Sequence, residues 1–216
     1  MPRSQPGFAR DLVELILGYG VIVGVIWMPA VPQRVASPLV LIFTLAVVLA
    51  RGPSREELGL GRRGLASSLW ILPAAVAVAG ASVMVAKRVG TLHPLFNGDA
   101  RHITGYVVWT LYQQFLLNDY FLPRLTRIVG HEQAAIGVAG VLFAAAHLPN
   151  LTLTAATLVW GVVSCGLFRR YRNLYALGLA QGLLGLCFAV CVPDALHHHL
   201  RVGLGYLRYH APDAGR

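Results

Sequence analysis

Long apolar runs separated by short polar and basic segments dominate this sequence of 216 residues. A helix of roughly 17 to 25 mainly apolar residues crosses the hydrocarbon core of a bilayer, and seven runs reach or approach that length. No internal repeat or low-complexity linker divides the runs, so we predict one integral membrane domain over residues 1–216. The predicted spans are Leu12–Met28, Ala36–Ala50, Ala66–Ala86, Ile103–Leu122, Gln133–Leu148, Leu151–Phe168 and Leu174–Val192.

The segments between the spans carry turn and capping signals. Val31–Arg34 contains a proline and predicts a loop between the first two spans. Ser54 and Glu57 have the spacing of a capping box, which predicts a short helix at the membrane interface. Pro123 is expected to end the fourth span, and Pro149–Asn150 predicts a tight hairpin between the fifth and sixth spans.

The composition decides the class of protein. Hydrophobic residues make up 56% of the chain and charged residues only 12%, whereas a soluble domain carries about 25% charged residues. We therefore predict an all-α, polytopic transmembrane helix bundle. The net charge of +9 lies in short clusters between the apolar runs, as in the loops of membrane proteins. Because no basic and aromatic binding surface is visible, we expect no nucleic-acid partner.

The cysteines and the histidine-rich tail predict no metal site and no disulfide framework. All three cysteines lie within apolar runs, where they behave as small buried hydrophobic residues. The tail contains His197, His198 and His199, with His210 further on. Consecutive histidines point in different directions, so they do not readily share one ion. We interpret them as a pH-sensitive tail that faces the lipid headgroups.

Three predicted spans place polar side chains inside apolar runs. Gln113, Gln114 and Asn118 belong to the fourth span, His147 to the fifth and Gln181 to the seventh. On an α-helix Gln114 and Asn118 share one face because they are four residues apart. Two interpretations remain open. The side chains either hold helices together, at about 1 kcal/mol each, or form a site centred on His147.

These residues also carry a resemblance to a known family. The segments QQFLLNDYFLPRL at 113–125, FAAAH at 143–147 and QGLLG at 181–185 resemble three motifs of the CPBP family. This family comprises CAAX proteases and bacteriocin-processing enzymes and is also called ABI. The resemblance covers about residues 56–192, including EELGLG at 56–61 ahead of the core. It implies a CAAX-protease-like helical core in a bacterial cytoplasmic membrane.

The resemblance also implies which positions form the site. By position, the family's catalytic residues correspond here to Gln113, Gln114, His147 and Gln181, and binding positions to Asn118, Phe143 and Gly185. In the family, paired glutamates and histidines are taken to activate a water against a peptide bond. Here glutamines replace both glutamates and one histidine, Asn118 replaces an arginine and Gly185 an asparagine. Only Phe143 and His147 match the motifs unchanged.

These replacements bear on mechanism. An amide cannot act as a general base, and one histidine among amides is a poor ligand set for zinc, so we expect no metal or other cofactor. Three hypotheses follow. The chain is a weak or non-catalytic homologue that binds a membrane-embedded peptide or lipid. Alternatively, it is an active endopeptidase on prenylated or membrane-anchored peptides, with His147 as the only base. The third is an unrelated transporter or membrane assembly protein.

The basic residues also predict an orientation. With the N-terminus in the cytoplasm, the cytoplasmic segments of the seven-span arrangement hold eleven of the 18 lysines and arginines. Cytoplasmic loops of membrane proteins carry such an excess of basic residues. We therefore expect the N-terminus to be cytoplasmic.

Overall fold

A computed structural model describes residues 7–95 and 98–209. Every regular element within these two ranges is a helix, which confirms the predicted all-α class. The α-helices are α1 (Phe8–Ile26), α2 (Ala30–Leu49), α3 (Leu65–Ser68), α4 (Ile71–Val89), α5 (Ala100–Phe115), α6 (Leu122–Val129), α7 (Glu132–Ala145), α8 (Leu151–Tyr171), α9 (Leu174–Cys191), α10 (Asp194–His197) and α11 (Gly203–Leu207). A π-helical segment, Leu116–Phe121, lies between α5 and α6.

Four helices in the described ranges are long and apolar enough to cross a membrane, and the protein is an integral membrane protein. They are α2, the stretch Leu65–Val89, α8 and α9. Of the other predicted spans, α1 has three charged residues near its start, and α5 and α7 have 16 and 14 residues. The total of about seven spans stays a prediction.

The loop predicted at Val31–Arg34 is wrong, because α2 begins at Ala30 and includes it. The first four N–H groups of a helix have no acceptor within the helix, so Pro32 removes no hydrogen bond there. The N–H of Gln33 donates to the carbonyl oxygen of Pro29 at 3.0 Å. A proline near the start of an apolar run therefore marked the first turn of a helix.

Pro123 does not end the helical path, contrary to the prediction. The π-helical segment Leu116–Phe121 precedes it, and Pro123 lies in the first turn of α6, which continues to Val129. A proline lacks the N–H that would bond four residues back, and a helix accommodates this loss where its hydrogen-bond pattern changes. Wider π turns of this kind occur often at functional sites.

The capping-box prediction at Ser54 and Glu57 is confirmed only in its hydrogen bonds. The Ser54 N–H donates to Glu57 Oε2 at 2.7 Å, and the Glu57 N–H donates to Ser54 Oγ at 3.2 Å. The predicted interfacial helix is wrong, because the segment forms only turns. Gly59 adopts a φ of 63°, a left-handed conformation that stops the first turn from continuing.

The described residues form two compact units. The first unit takes its described residues from 7–53, Leu116–Gly166 and Val202–Tyr209. In it, α1 packs against α2 and α6. A Cβ atom on Gly18 would overlap the buried Tyr120 ring, so this glycine permits the close approach. The Tyr120 hydroxyl donates to the carbonyl oxygen of Glu14 at 2.6 Å.

The second unit takes its described residues from Ser54–Phe115 and Leu167–Arg201. Helix α9 packs against both α4 and α5. Gly178 and Gly182 have the spacing of a small-residue helix contact, and added Cβ atoms there would meet Leu111 and Thr110 of α5. This close contact of α5 and α9 positions three of the motif side chains.

Candidate functional site

Three glutamines form a hydrogen-bonded chain within the second unit, which we call the amide cluster. Gln114 Nε2 donates to Gln181 Oε1 at 2.5 Å, and Gln181 Nε2 donates to Gln113 Oε1 at 2.6 Å. Gln114 is fully buried, and Gln181 is 8% exposed. The structure therefore brings together the three positions that carry glutamates and a histidine in the family motifs.

The amide cluster lies one turn from other polar contacts of α5 with α9. The Thr110 hydroxyl donates to the carbonyl oxygen of Gly178 at 2.9 Å and is buried. Hydrogen bonds of this kind between membrane helices contribute about 1 kcal/mol each. The three glutamines of the amide cluster therefore form hydrogen bonds between α5 and α9, at positions that belong to the site in the family motifs.

The contact between α5 and α9 also explains why position 185 is a glycine. A Cβ atom on Gly185 would overlap the hydroxyl of Tyr106 on α5, and Tyr106 Cζ would lie only 2.9 Å away. Tyr106 therefore fills the space that a side chain at this motif position needs. Sequence reasoning missed Tyr106, although a tyrosine inside an apolar run seven residues before Gln113 was a visible signal.

The amide cluster can orient and bind but cannot transfer a proton from water. A glutamine side chain offers a carbonyl acceptor and an NH₂ donor, and neither titrates at useful pH. Two of the donors are already directed at neighbouring amide oxygens. The chemistry available to these three positions is therefore hydrogen bonding alone.

Phe143 and His147 lie together in the first unit, at the end of α7. Their rings are 5.0 Å apart between centroids and nearly perpendicular. Phe143 also packs against α8, where a Cβ atom on Gly161 would lie 3.2 Å from its ring. The motif phenylalanine thus fixes the position of the motif histidine from one side.

The histidine tautomer follows from one hydrogen bond. His147 Nδ1 lies 2.7 Å from the carbonyl oxygen of Phe143, and because a carbonyl only accepts, Nδ1 carries the proton. The basic lone pair is therefore on Nε2. His147 lies in the turn after α7 and is 8% exposed.

Asn150 closes the turn that holds His147, as the hairpin prediction required. Its Oδ1 accepts from the N–H of Leu153 at 3.1 Å, which caps the start of α8. The N–H of Asn150 donates to the carbonyl oxygen of His147 at 3.1 Å. Asn150 is fully buried, and its role as a cap was readable from its position just before an apolar run.

Asn118 is buried in the π-helical segment, also in the first unit. The predicted shared face of Gln114 and Asn118 assumed an unbroken α-helix, and that assumption is wrong. A π turn bonds residues five apart rather than four, which changes the register after Phe115. The polar stripe on the fourth span is therefore interrupted between its first and last members.

No group of three or more His, Cys, Asp or Glu side chains within residues 7–95 and 98–209 is placed to hold a metal ion. His197 is buried, and its Nε2 lies 2.9 Å from the carbonyl oxygen of Val192. Burial lowers the pKa of this histidine. His210, the fourth member of the tail considered above, lies outside the described residues.

The cysteines of α9 lie against its contact with α4. The sulfur atoms of Cys187 and Cys191 are 3.7 Å apart, and Cys187 Sγ donates to the carbonyl oxygen of Ala79 at 3.5 Å. Cys187 borders an apolar groove of about 410 Å³ in the second unit. The lining also includes Val76 and Val83 of α4 and Leu183, Leu186 and Val190 of α9.

Comparison with known proteins bears on the resemblance to the CPBP family. Residues 101–187 match a family model described as Rce1-like, type II CAAX prenyl endopeptidase Rce1-like. The matched segment contains all three motif segments, from Gln113 to Gly185. Neither the curated proteins nor the solved structures gave a match. Over this segment, the chain is similar to type II CAAX prenyl endopeptidases, which confirms the predicted resemblance to the CPBP family.

Proposed function

We propose that this protein is a weak or non-catalytic member of its family that binds a membrane-embedded peptide or lipid. The amide cluster carries this proposal, because the positions that supply proton-transferring groups in the family hold glutamines bonded to one another. General-base catalysis contributes about 10²- to 10⁴-fold to a rate, and these side chains supply none of it.

The apolar groove between α4 and α9 supports the binding part of the proposal. Both helices belong to stretches that are long and apolar enough to cross a membrane. A groove of this composition favours an apolar chain, such as the prenyl group of a membrane-anchored peptide or the acyl chain of a lipid. No charged residue is among those that line the groove.

A working endopeptidase on prenylated or membrane-anchored peptides is the second candidate, and the His147 geometry favours it. The bond from Nδ1 to Phe143 leaves Nε2 as the basic nitrogen. A neutral imidazole in that tautomer is suited to accept a proton from water. In this mechanism His147 would be the only base.

Cleavage assays with matched variants test both candidates. Purified full-length protein in proteoliposomes is mixed with a fluorogenic prenylated peptide, and we expect the wild type to cleave no faster than His147→Ala. Photo-crosslinking of the same peptide measures binding, which we expect the wild type to retain. Cleavage by the wild type that exceeds His147→Ala by about tenfold or more would favour the endopeptidase. If peptide is neither bound nor cleaved, peptide binding is contradicted.

We further propose that the protein lies in a bacterial cytoplasmic membrane with its N-terminus in the cytoplasm. In the seven-span arrangement, eleven of the 18 lysines and arginines lie on the same side of the membrane as the N-terminus, and this excess supports the orientation. Periplasmic and cytoplasmic reporter fusions to the N-terminus test it. Activity of the periplasmic reporter there would contradict the orientation.

A further inference from the structure

The first unit contains a cluster of charged side chains that the family motifs do not explain. Two carboxylates on α1 are bonded to four guanidinium groups from α1, α6 and the chain just after α2. We call this the arginine cluster, and its members are Arg10, Asp11, Glu14, Arg51, Arg124 and Arg127.

Asp11 binds two of the arginines. Arg127 donates to both of its oxygens, from Nε at 2.5 Å and from Nη2 at 2.9 Å. Arg51 Nη2 donates to Asp11 Oδ1 at 2.6 Å. The Asp11 side chain is only 4% exposed, so its charge is stabilised mainly by these guanidinium groups.

Glu14 binds three arginines and links the buried and exposed parts of the cluster. Arg124 donates to Glu14 Oε2 from Nε at 2.8 Å and from Nη2 at 2.6 Å, and the Arg124 side chain is 1% exposed. Arg51 Nη2 reaches the same oxygen at 2.8 Å. Arg10 Nε reaches Glu14 Oε1 at 2.7 Å from the surface.

The cluster has more positive than negative charge. Four guanidinium groups face two carboxylates, which leaves an excess of two positive charges. Among the described residues, neither Nη atom of Arg10 has a hydrogen-bond partner, nor does Nη1 of Arg51 or Arg127. Arg10, Arg51 and Arg127 are partly exposed, so these N–H groups belong to side chains that solvent and lipid headgroups can reach.

The cluster lies at one end of a membrane span. Arg51 follows the last residue of α2 by two positions, and α2 is long and apolar enough to cross the bilayer. Asp11 and Glu14 lie in the first two turns of α1, which packs against α2. Charged side chains at a helix end reach the headgroup layer, where lipid phosphates are the most abundant anions.

We infer that the arginine cluster binds the phosphate of an anionic glycerophospholipid. Guanidinium groups match phosphate oxygens with paired hydrogen bonds, and the excess charge attracts a headgroup that carries a net negative charge. The carboxylates of Asp11 and Glu14 order the guanidinium groups of Arg51 and Arg127. The remaining N–H groups of these arginines are therefore ordered before a lipid binds. The site shares no residue with the amide cluster and does not depend on the proposed function.

Native mass spectrometry of the full-length protein in detergent tests this inference. Retention of phosphatidylglycerol is compared with that of phosphatidylcholine of the same acyl chains, and we expect preferential retention of phosphatidylglycerol. The double variant Arg10→Gln, Arg127→Gln is expected to bind phosphatidylglycerol more weakly, by roughly fivefold for each arginine removed. The double variant Lys87→Gln, Arg88→Gln removes the same charge from the end of α4 and is the matched control.

The single variant Arg10→Gln guards against misfolding, because Arg10 is 63% exposed and Glu14 keeps two other arginines. We expect it to weaken binding by roughly fivefold while the control stays within about twofold of wild type. Equal retention of the two lipids would overturn the inference. An equal loss of phosphatidylglycerol binding in the Lys87→Gln, Arg88→Gln variant would also overturn it. Displacement of the lipid by inorganic phosphate at the same concentration would do the same.

Discussion

The triple substitution Gln113→Glu, Gln114→Glu and Gln181→His is expected to raise peptide cleavage by about 10²-fold or more over wild type. It returns two carboxylates and an imidazole to the positions where the family motifs carry them. General-base catalysis supplies about 10²- to 10⁴-fold, and the three glutamines occupy adjacent places on α5 and α9. The measurement is the initial rate on the prenylated peptide in proteoliposomes.

The three substitutions are needed together because of the hydrogen bonds within the amide cluster. Gln114→Glu alone places a buried carboxylate against the carbonyl oxygen of Gln181, and two acceptors then face each other. Leaving such buried groups unbonded costs about 1 to 3 kcal/mol each, and more for a charge. The imidazole introduced by Gln181→His donates instead of accepting. We therefore expect the single variant to be less stable than the triple variant.

A fourth substitution provides a control for this experiment. Gly185→Asn would complete the third motif, but a Cβ atom there overlaps the Tyr106 hydroxyl. Adding it is therefore expected to reduce both stability and any gained activity, and Tyr106→Ala should relieve part of the loss by making room. If the triple variant folds and binds the peptide but shows no gain in cleavage, these positions do not form a usable catalytic site in this chain.

Glu14→Ala is expected to destabilise the protein by about 3 to 5 kcal/mol, because it leaves the buried guanidinium of Arg124 without its carboxylate. Arg124 keeps a bond from Nη1 to the carbonyl oxygen of Tyr120 at 2.5 Å and its position 4.0 Å over the Tyr120 ring. Neither interaction supplies a full negative charge. The measurement is thermal unfolding in detergent, followed by labelling of the buried thiol of Cys165.

The comparison variant is Arg10→Gln, which removes an exposed partner of the same carboxylate. Exposed ion pairs contribute about 0 to 1 kcal/mol, so its unfolding temperature should stay close to that of wild type. For a chain of this length, each kcal/mol corresponds to roughly 2 to 4 °C. Equal shifts for the two variants would contradict a structural role for the buried pair of Glu14 and Arg124.

Much of the site was predictable because its motifs are local in sequence. FAAAH at 143–147 places a phenylalanine and a histidine one helical turn apart, and the structure packs their rings together. The three motif segments in order indicated a resemblance to the CPBP family, and the match over residues 101–187 confirms that resemblance. The amide pairing itself was not predictable, since Gln113 and Gln181 are 68 residues apart.

Predictions failed where a local signal had two structural outcomes. Pro32 and Pro123 indicated helix ends, yet neither ends a helix. Pro32 lies in the first turn of α2, where its missing N–H has no acceptor to lose, and Pro123 lies where the π-helical segment changes to α6. The capping box at Ser54 formed its hydrogen bonds without the following helix, because Gly59 adopts a left-handed conformation directly after the first turn. No residue type in the π-helical segment Leu116–Phe121 indicated that the helical register would change there.

The sequence by itself determined that this is an α-helical membrane protein that resembles the CPBP family, with amides at the motif positions that carry ionisable groups in that family. Hydropathy and residue identity carry that information, because burial in lipid depends on composition and proton transfer depends on functional groups. Only the tertiary structure decided that the three glutamines bond to one another and that Tyr106 fills the space beside Gly185. It also decided that Glu14 pairs with Arg124 across 110 residues of chain. Such contacts arise when helices that are distant in sequence pack together, and hydropathy does not specify which polar groups then meet.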